Sequence, residues 1–534
     1  MQKIALLLLL PLLLPAQTPE SHVVETNSMK VVFNANGALF TDFQKGGFVA
    51  PYLPGQPEHS LVRVAGLWMA GLDAAGNLRG AAQLYNEGSQ ADFVPGLSDG
   101  TLNHIWRVTR EEVYWHNIDV FDDDEVDVPL HNIYAWPGKG NPYFVQYNPG
   151  QPPLPDNLDI APFLDHDSNQ SYNPDKGDSP YLVLPSCGIV APPNELLWFP
   201  FHSGTQATES GMAPLAVDVY CTVAMHDCSP DPRVNNTVFI HYVMINRSGE
   251  PLHDLYVGMF NDFDIGNPDD DFFGCDTARA LVYAYNGDPL DEGGFGQSPP
   301  AIGVDLLAGP VGADGQPLPL RSVQPVDFST LNGPSNYYNL LKGLSPDGSP
   351  APQNGFYYQN DFDSGAGFSE VQAQNVPGNR KVLFSTGPFD LAPGAVNRMT
   401  VAYSFGLGDG GTYSGLGDML GQNQEVQYFF DECLTFHSGP GCLNLLAARE
   451  ASTEQPFSLF PNPSSGRFTV QARETPFQRV TVTDQAGRVV FDRFWHDPAM
   501  QAEAGREDIP PGLYTVQVIT EQQEIVQQLI AIAR

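Results

Sequence analysis

The segment TVFIHYVMI, residues 237–245, places a large apolar side chain at every second position. Because successive side chains of a β-strand point to opposite faces, this period of two predicts a strand with one buried face. A second apolar segment, residues 215–225, precedes it across a Pro-Asp-Pro turn at residues 230–232. We therefore predict that the two segments form a β-hairpin at the centre of a fold made of antiparallel sheets.

Short apolar runs bounded by turn residues continue on both sides of this hairpin. The chain contains 52 Gly, 48 Pro and 11% aromatic residues, which is typical of short strands joined by many turns. Further strands are predicted at residues 61–71, 255–260, 381–386 and 397–405. We expect residues 255–260 to continue the meander of the central hairpin. The fold class is therefore mainly β, with a multidomain β-sandwich as the main body.

One helix interrupts this pattern near the end of the body. Apolar residues recur every three or four positions from Leu416 to Phe430, and no proline occurs between residues 415 and 433. This spacing predicts an amphipathic helix that buttresses a sheet. By contrast, residues 128–198 are rich in Pro, Asn, Asp and Gly with little periodicity, which predicts long loops lying over the body.

The N-terminus has the features of a secretion signal. Lys3 precedes a run of apolar residues at 4–14, and Ala16 offers a small side chain at a plausible cleavage point. The run is shorter than the ~20 apolar residues that cross a bilayer, so we expect no transmembrane segment in the mature chain. Residues 1–16 are therefore predicted to be removed, leaving a chain too long for one core. We expect a β-rich body of one or two subdomains at residues 17–446, a linker at 447–455 and a small domain at 456–534.

The charge of the chain excludes several classes of partner. Acidic residues number 62 against 25 Lys and Arg, giving a net charge of −37. A field of this sign repels nucleic acids and anionic membranes, which are themselves polyanions. The acids either keep an exported protein soluble or, in part, bind Ca²⁺, since hard cations prefer oxygen ligands.

The six cysteines are even in number and follow an export signal, so disulfides are permitted. Cys433 and Cys442 are the pair that the sequence favours, because a Pro-Gly turn at residues 440–441 lies between them. Cys221 with Cys228 is a second alternative. No Cys-x-x-Cys pattern of a zinc site is present in the sequence.

The last eighty residues contain turn and strand motifs in a recognisable order. A Pro-Asn-Pro turn comes first, an Asp-x-x-Gly-Arg hairpin follows a strand, and a Pro-Gly-x-Tyr strand precedes a final apolar strand. This order resembles the type A sorting domain of cargo proteins of the bacterial type IX secretion system. The residues that carry the resemblance are Pro461, Asn462, Pro463, Gly466, Asp484, Gly487, Arg488, Gly512 and Tyr514. The last segment, residues 528–534, departs from the lysine-bearing ending frequent in that family.

The resemblance implies a small immunoglobulin-like β-sandwich and an export route. It implies that the type IX machinery carries the chain through the outer membrane of a Bacteroidota-type bacterium. It also implies removal of the sorting domain, with attachment to surface lipopolysaccharide or release. Residues 65–73, 274–277 with 285–288, and 385–389 with 392–394 of the body are similar to uncharacterised cargo proteins of Bacteroidota. This likeness says nothing about chemistry.

The best candidate site for a metal begins at Asp165. Oxygen side chains at the first, third and fifth positions of a tight loop converge on one cation. The loop resembles the calcium loops of thrombospondin type 3 and dockerin repeats, although Gln170 stands where those loops place glycine. A solvated turn rich in Asp and Asn is the alternative. The predicted Ca²⁺ ligands are Asp165, Asp167, Asn169, Asp175 and Asp178.

Two further acidic clusters are weaker candidates. One follows a predicted strand, where sites often gather, although an acidic solvated loop fits its sequence as well. The other, between residues 122 and 127, is expected to be a solvated run of like charges. The first of these clusters contains Asp262, Asp264, Asp269, Asp270 and Asp271.

Signatures of common enzymes are absent from the sequence or occur out of context. There is no Gly-x-Ser-x-Gly, His-Glu-x-x-His or Walker loop, and the glycine-rich residues 406–411 lack the βαβ frame of a dinucleotide site. Catalytic carboxylates cannot be chosen from 62 acids without a structure. The aromatic residues Trp106, Trp115, Trp136 and Trp198 are expected in the core, with stacking on sugars as the alternative.

These observations favour an exported surface or secreted protein that functions in binding, adhesion or surface structure. Glycans and lipopolysaccharide are the candidate partners. The alternative is a secreted hydrolase acting on polysaccharide. A deep cleft with two facing carboxylates and an aromatic platform would distinguish the second from the first.

Overall fold

The computed structural model describes most of the chain between residues 19 and 532. The residues outside the description are 1–18, 27, 43, 53–55, 86–90, 124, 156–159, 185–187, 191–192, 205–208, 228–231, 362–365, 409–412, 433–456, 461–463, 474, 484–488, 507–508, 511, 521–524 and 533–534. The predicted signal peptide and the predicted linker both lie outside the described residues.

The chain divides into two compact units. Residues 1–225 and 236–433 belong to the first unit, and residues 226–235 and 434–534 to the second. Below, "the body" means residues 19–225 and 236–432, and "the C-terminal domain" means residues 457–532.

The strands and helices are numbered in chain order. The strands before the central hairpin are β1 Ser21–Glu25, β2 Lys30–Asn34, β3 Phe48–Val49, β4 Ser60–Leu72, β5 Leu78–Ala82, β6 Phe93–Pro95, β7 Trp106–Thr109, β8 Phe163–Leu164, β9 Ser179–Pro180, β10 Leu182–Leu184, β11 Gly188–Val190 and β12 Glu195–Ser203. The remaining strands of the body are β13 Val217–Met225, β14 Thr237–Asn246, β15 Leu252–Phe263, β16 Asp271–Asp276, β17 Leu281–Asn286, β18 Leu290–Asp291, β19 Gly296–Gln297, β20 Ala301–Ala308, β21 Leu320–Pro325, β22 Asn360–Asp361, β23 Ala366–Gly367, β24 Arg380–Leu391 and β25 Val396–Gly406. The α-helices are α1 Arg110–Asp123, α2 His131–Tyr134, α3 Phe144–Tyr147, α4 Pro232–Asn235, α5 Pro334–Leu341, α6 Glu370–Ala373 and α7 Ser414–Asp431. Short 3-10 turns occur at Pro174–Lys176, Phe328–Thr330 and Pro352–Gly355.

Two large antiparallel sheets form the body. The first sheet has the order β1-β2-β3-β4-β15-β24-β21, with β5 also paired to β4. The second sheet has the order β16-β17-β20-β25-β14-β13-β12-β6, with β7 also paired to β12. One buried apolar cluster contains Leu67 and Met259 of the first sheet together with Val223 and Ile240 of the second. The body is therefore a β-sandwich whose core lies between the two sheets.

The central hairpin is confirmed, but the meander predicted after it is wrong. Strands β13 and β14 pair along their whole length in the second sheet. Strand β15 instead lies between β4 and β24 in the first sheet. The crossing turn is held by Asn246, whose Nδ2 donates to Glu250 O and Leu391 O, both at 2.8 Å. Alternation of side chains fixes which face of a strand is buried, but not which strand lies beside it.

Helices cover the outer faces of both sheets. The predicted helix is α7, and its Met419 and Leu420 pack on Leu281 and Tyr283 of the second sheet, which confirms the buttress. Helix α5 packs on the outer face of the first sheet in the same way. Helices α1 and α5 were not predicted, because α1 has weak apolar periodicity and α5 is only eight residues long.

The C-terminal domain is a small two-sheet β-structure. Its strands are β26 Phe457–Phe460, β27 Arg467–Ala472, β28 Phe477–Thr483, β29 Val489–Ala499, β30 Gln501–Gly505, β31 Gly512–Thr520 and β32 Ile525–Ile532. They form a three-stranded sheet, β26-β27-β30, and a four-stranded sheet, β29-β28-β31-β32. Phe468 and Val470 of the smaller sheet share one buried cluster with Val480 and Val516 of the larger sheet. The two sheets are therefore packed around their own core.

No helix within the described residues is long and apolar enough to span a membrane.

Candidate cation sites and a cavity on the second sheet

The first acidic loop joins strands β8 and β9. Asp165 directly follows β8, and Asp178 directly precedes β9. Carboxylate oxygens of Asp165, Asp167 and Asp178 all lie within 4.8 Å of one another. Among the described residues, no other group of three acidic, His or Cys side chains meets this criterion. The pairing of two short strands thus brings the two ends of the loop together.

Backbone amides shape this loop around the carboxylates. Asp165 accepts hydrogen bonds from the amides of Asn169 and Gln170, at 3.1 and 2.7 Å. Gln170 has a φ of 63°, which is the left-handed conformation that glycine adopts at the sixth position of the calcium loops. Glutamine therefore replaces the expected glycine without changing the course of the backbone.

Asp178 is the buried member of this group. Its two carboxylate oxygens accept from the amides of His166 and Asn173, both at 2.7 Å, and its side chain has no exposed surface. Burial raises the pKa of Asp178, and the charges of Asp165 and Asp167 raise it further. A cation among the three carboxylates would oppose both effects.

The other two predicted ligands of this loop have different partners. Asp175 accepts hydrogen bonds from the hydroxyls of Tyr134 and Tyr143. Asn169 accepts from the amide of Ser171 at 2.7 Å through Oδ1. The structure therefore brings together three of the five predicted ligands and directs Asp175 towards the tyrosines.

Helix α1 supports the loop from the other side. The Nε2 of His116 donates to Asp178 O at 3.2 Å. Val120 lies against Gly177, whose φ of 88° ends the 3-10 turn before Asp178. The loop is thus fixed at both ends by a strand pair and along one side by a helix.

The second acidic cluster lies between strands β15 and β16. Asp271, with no exposed surface, accepts from the amide of Ile265 at 3.1 Å. Burial raises its pKa, and the charges of Asp270, Asp264 and Asp291 raise it further. Four carboxylates are therefore close enough to influence one another in a partly buried loop.

Several oxygens of this cluster have no hydrogen-bond partner. Among the described residues, Oδ1 of Asp264, of Asp270 and of Asp271 are buried and unsatisfied. Burial and neighbouring carboxylates raise the pKa of Asp264 to about 6 and that of Asp270 to about 6. Buried acceptors without donors are costly, and a hard cation is one species that would satisfy them.

Asp291 joins this cluster from a later segment, and sequence reasoning did not include it. Its Oδ1 accepts from the amide of Asn267 at 3.1 Å. Gly266 has a φ of 64°, and a Cβ there would lie 1.9 Å from Asp291 Oδ2. The glycine is required by both the backbone conformation and this close approach.

Two of the residues predicted as ligands in the second cluster have different surroundings from the rest. Asp262 accepts from the hydroxyl of Tyr85 at 2.6 Å and lies 3.5 Å from Lys381 Nζ. Asp269 is exposed. The candidate ligands that remain grouped in this cluster are therefore Asp264 and Asp271, with Asp270 and Asp291 beside them.

The third acidic run and the cysteines are described only in part. In the third acidic run, Glu125 and Asp127 are exposed, while the side chains of residues 121–124 lie outside the described part of the chain. Cys433 and Cys442 also lie outside it, so their pairing stays a prediction. Cys221 is a buried free thiol, which does not fit the alternative pair with Cys228.

A cavity of about 620 Å³ lies on the outer face of the second sheet. Trp198, Thr222, His241 and Thr400 stand directly beside one another on β12, β13, β14 and β25. The first three of these line the cavity, together with Tyr220, Val243, Ile245, Val396 and Arg398. The floor is therefore one continuous sheet surface.

Residues from the irregular segment form the rest of the cavity wall. They include Lys139, Ile160, Pro162 and Phe163. The indole nitrogen of Trp136 donates to Pro162 O at 3.0 Å, which fixes this part of the wall. The predicted overlying loops thus enclose a space instead of packing directly on the sheet. Among the four candidate tryptophans, Trp106, Trp136 and Trp198 are buried, as the core interpretation predicted.

The C-terminal domain positions three of the nine sorting-motif residues, and the other six lie outside the described residues. Gly466, with a φ of 113°, directly precedes β27. Gly512 begins β31, and the hydroxyl of Tyr514 donates to Pro510 O at 2.8 Å. These contacts connect the Pro-Gly turn to the strand that follows it.

Comparison with known proteins identifies this domain. Residues 458–532 match the family described as a secretion system C-terminal sorting domain. The match supports a type IX secretion cargo protein and indicates export to the cell surface or beyond, and the sorting domain implies interaction with the type IX machinery.

The comparison with solved structures gives a distant likeness over part of the chain. One solved structure, described as a polysaccharide lyase, is 10% identical with a TM-score of 0.20. The match covers 59% of this chain and 34% of the lyase, so it spans about a third of that protein. No curated protein matches the sequence.

Proposed function

We propose that the body is a calcium-stabilised binding protein, which serves adhesion or surface structure on a Bacteroidota-type bacterium. In this proposal residues 1–16 are a signal peptide that directs the chain across the inner membrane. The C-terminal domain then directs it across the outer membrane and is removed, with the body released or attached to lipopolysaccharide. The observation that carries export is the sorting-domain match at residues 458–532.

Calcium is proposed at both acidic clusters. In the first, the convergence of Asp165, Asp167 and Asp178 supports a cation at the end of the β8–β9 hairpin. In the second, the unsatisfied oxygens of Asp264 and Asp271 support a cation beside β16. Ca²⁺ fits both better than a transition metal, because the donors are oxygens and no His or Cys belongs to either set.

Binding is favoured over hydrolysis by the composition of the cavity. A paired-carboxylate hydrolase needs two acids facing its substrate. Among the residues that the structure describes, the side chains that line the cavity are aromatic, aliphatic, hydroxyl or cationic, and none of them is Asp or Glu. The cavity therefore has the character of a recognition site.

A polysaccharide hydrolase remains the second candidate because of one observation. The pKa of Asp264 and that of Asp270 are both raised to about 6, which is the range that suits a general acid. Release of reducing ends from a polysaccharide by the full-length chain, lost in Asp264→Asn with Asp270→Asn, would favour this candidate over binding.

Export is tested by removing the sorting domain. We expect the chain lacking residues 454–534 to stay in the periplasm of a type IX-competent host, protected from protease added outside the cells. The full-length chain should be accessible to the same protease, and residues 447–534 fused to a periplasmic reporter should carry the reporter outside. Normal display of the truncated chain would contradict the assignment.

A further inference from the structure

Arg398 lies at the cavity on the second sheet and has no carboxylate partner among the described residues. The guanidinium groups of Arg107, Arg247 and Arg380 each pair with a carboxylate at 2.7 to 2.8 Å. Arg398 is exposed at the cavity, and within the described residues its guanidinium has no ion pair or hydrogen bond. In a chain with a net charge of −37, an arginine without a carboxylate partner marks a place where an external anion would be favoured.

The cavity beside Arg398 is mainly apolar. Val243 and Ile245 lie on β14, and Val396 is an exposed apolar residue at the start of β25. Ile160 and Phe163 face the same space from the wall. A ligand that fits here must bury an apolar body against these side chains, since a fully hydroxylated one would lose hydrogen bonds to water.

His241 adds one polar group near the cation. Its Nδ1 shares a 2.8 Å hydrogen bond with Thr400 Oγ1. Within the described residues, Nε2 has no partner, although the ring lines the cavity. Burial and the charge of Arg398 lower the pKa of His241 to about 4, so the imidazole is neutral at pH 7. Arg398 therefore supplies the positive charge on the floor of the cavity, and Lys139 is the cation of its wall.

We propose that this cavity binds a small amphipathic carboxylate, with its anionic group on Arg398 and its apolar body on the valine and isoleucine side chains of β14. The volume of about 620 Å³ lies within the range of pockets that enclose small organic ligands. The proposal rests on the binding function above and names the class of ligand. A uronic acid shares the anion but lacks the apolar body, so it separates glycan recognition from this assignment.

The test uses calorimetric titration of the full-length chain with 4-phenylbutyrate. We expect saturable binding of 4-phenylbutyrate, and no binding of glucuronate or of the uncharged 4-phenylbutyramide at the same concentrations. Arg398→Gln should weaken binding of 4-phenylbutyrate about tenfold or more, because it removes a charge-assisted hydrogen bond. Arg321→Gln, an exposed arginine on the first sheet, should bind like the unchanged chain and serves as the matched control.

A second variant tests the apolar part. Val243→Trp should fill the cavity and abolish binding, with an unchanged melting temperature showing that the chain is folded. If Val243→Trp unfolds the chain, the proposal is tested by Arg398→Gln alone, because that substitution replaces an exposed side chain. Equal affinity for the acid and the amide, unchanged affinity in Arg398→Gln, or tighter binding of glucuronate would each overturn the proposal. Surface display is measured on other variants. A chain that is displayed but does not bind 4-phenylbutyrate would therefore contradict the proposed ligand class without contradicting export.

Discussion

The hydroxyl of Tyr403 on β25 donates a hydrogen bond of 2.7 Å to Oδ1 of Asn261 on β15, and so joins the two sheets of the body through the core. Both residues are fully buried. A polar pair at this depth is stable only while each partner satisfies the other. It therefore fixes how the two sheets face each other more specifically than apolar packing does.

We expect Tyr403→Phe to lower the free energy of unfolding by about 1 to 3 kcal/mol, because Asn261 Oδ1 would be left buried without a donor. Urea unfolding of the full-length chain measures the change. Tyr428→Phe is the matched control, since Tyr428 is 61% exposed on α7. Equal stability of the two variants would mean that the hydrogen bond between the sheets contributes nothing.

Removal of calcium should destabilise the body. A ligand at a hundred times its dissociation constant stabilises the folded state by about 2.7 kcal/mol per site, so EDTA should lower the melting temperature by several degrees. Asp165→Asn with Asp167→Asn should remove part of this shift, and Asp264→Asn with Asp271→Asn another part. As a control, Asp314→Asn with Asp347→Asn changes two exposed turn residues and should keep the full response. A melting curve insensitive to EDTA would refute the calcium proposal.

The second acidic cluster should make stability depend on pH when calcium is absent. The pKa of Asp264 and that of Asp270 are about 6 in the folded state, against an ordinary value of 3.8. The folded state therefore binds protons that the unfolded state has already released, so its stability falls as the pH rises from about 4 through 6. Melting in EDTA between pH 4 and 7 measures this fall, which Asp264→Asn with Asp270→Asn should reduce relative to the unchanged chain. A profile identical in both proteins would contradict the assignment of the raised pKa values.

Gly266→Ala should destabilise the second cluster more than an equivalent change nearby. The added Cβ would lie 1.9 Å from Asp291 Oδ2, and the backbone has a φ of 64°. Gly293 also has a positive φ, 94°, but a Cβ there meets nothing within 4 Å. Both variants carry the strain of the backbone, about 1 kcal/mol or more, and only the first also forces Asp291 to move. Thermal melting with and without Ca²⁺ compares them, and equal losses would show that the contact with Asp291 is unimportant.

Much of the architecture was predictable from local patterns. The alternation in residues 237–245 identified β14, and the helical spacing from Leu416 to Phe430 identified α7, because these patterns reflect one buried face. The sorting domain was recognisable for a related reason. Its turns need particular residues at fixed spacing, and the family model matches residues 458–532, which include Gly512 and Tyr514.

The sites depended on the tertiary structure, because their members meet across long separations in the chain. Asp178 lies beside Asp165 because β8 pairs with β9. Asp291 reaches the loop before Asp271 because its segment, later in the chain, folds beside that loop. Neither contact can be predicted from the spacing of the residues. Arg398 and His241 share a cavity only because β25 lies next to β14. The sequence by itself determined the sorting domain and the class of fold, since both depend on local motifs and side-chain periods. Only the tertiary structure decided which acids converge and where a cavity opens, since strand order and register set which distant side chains meet.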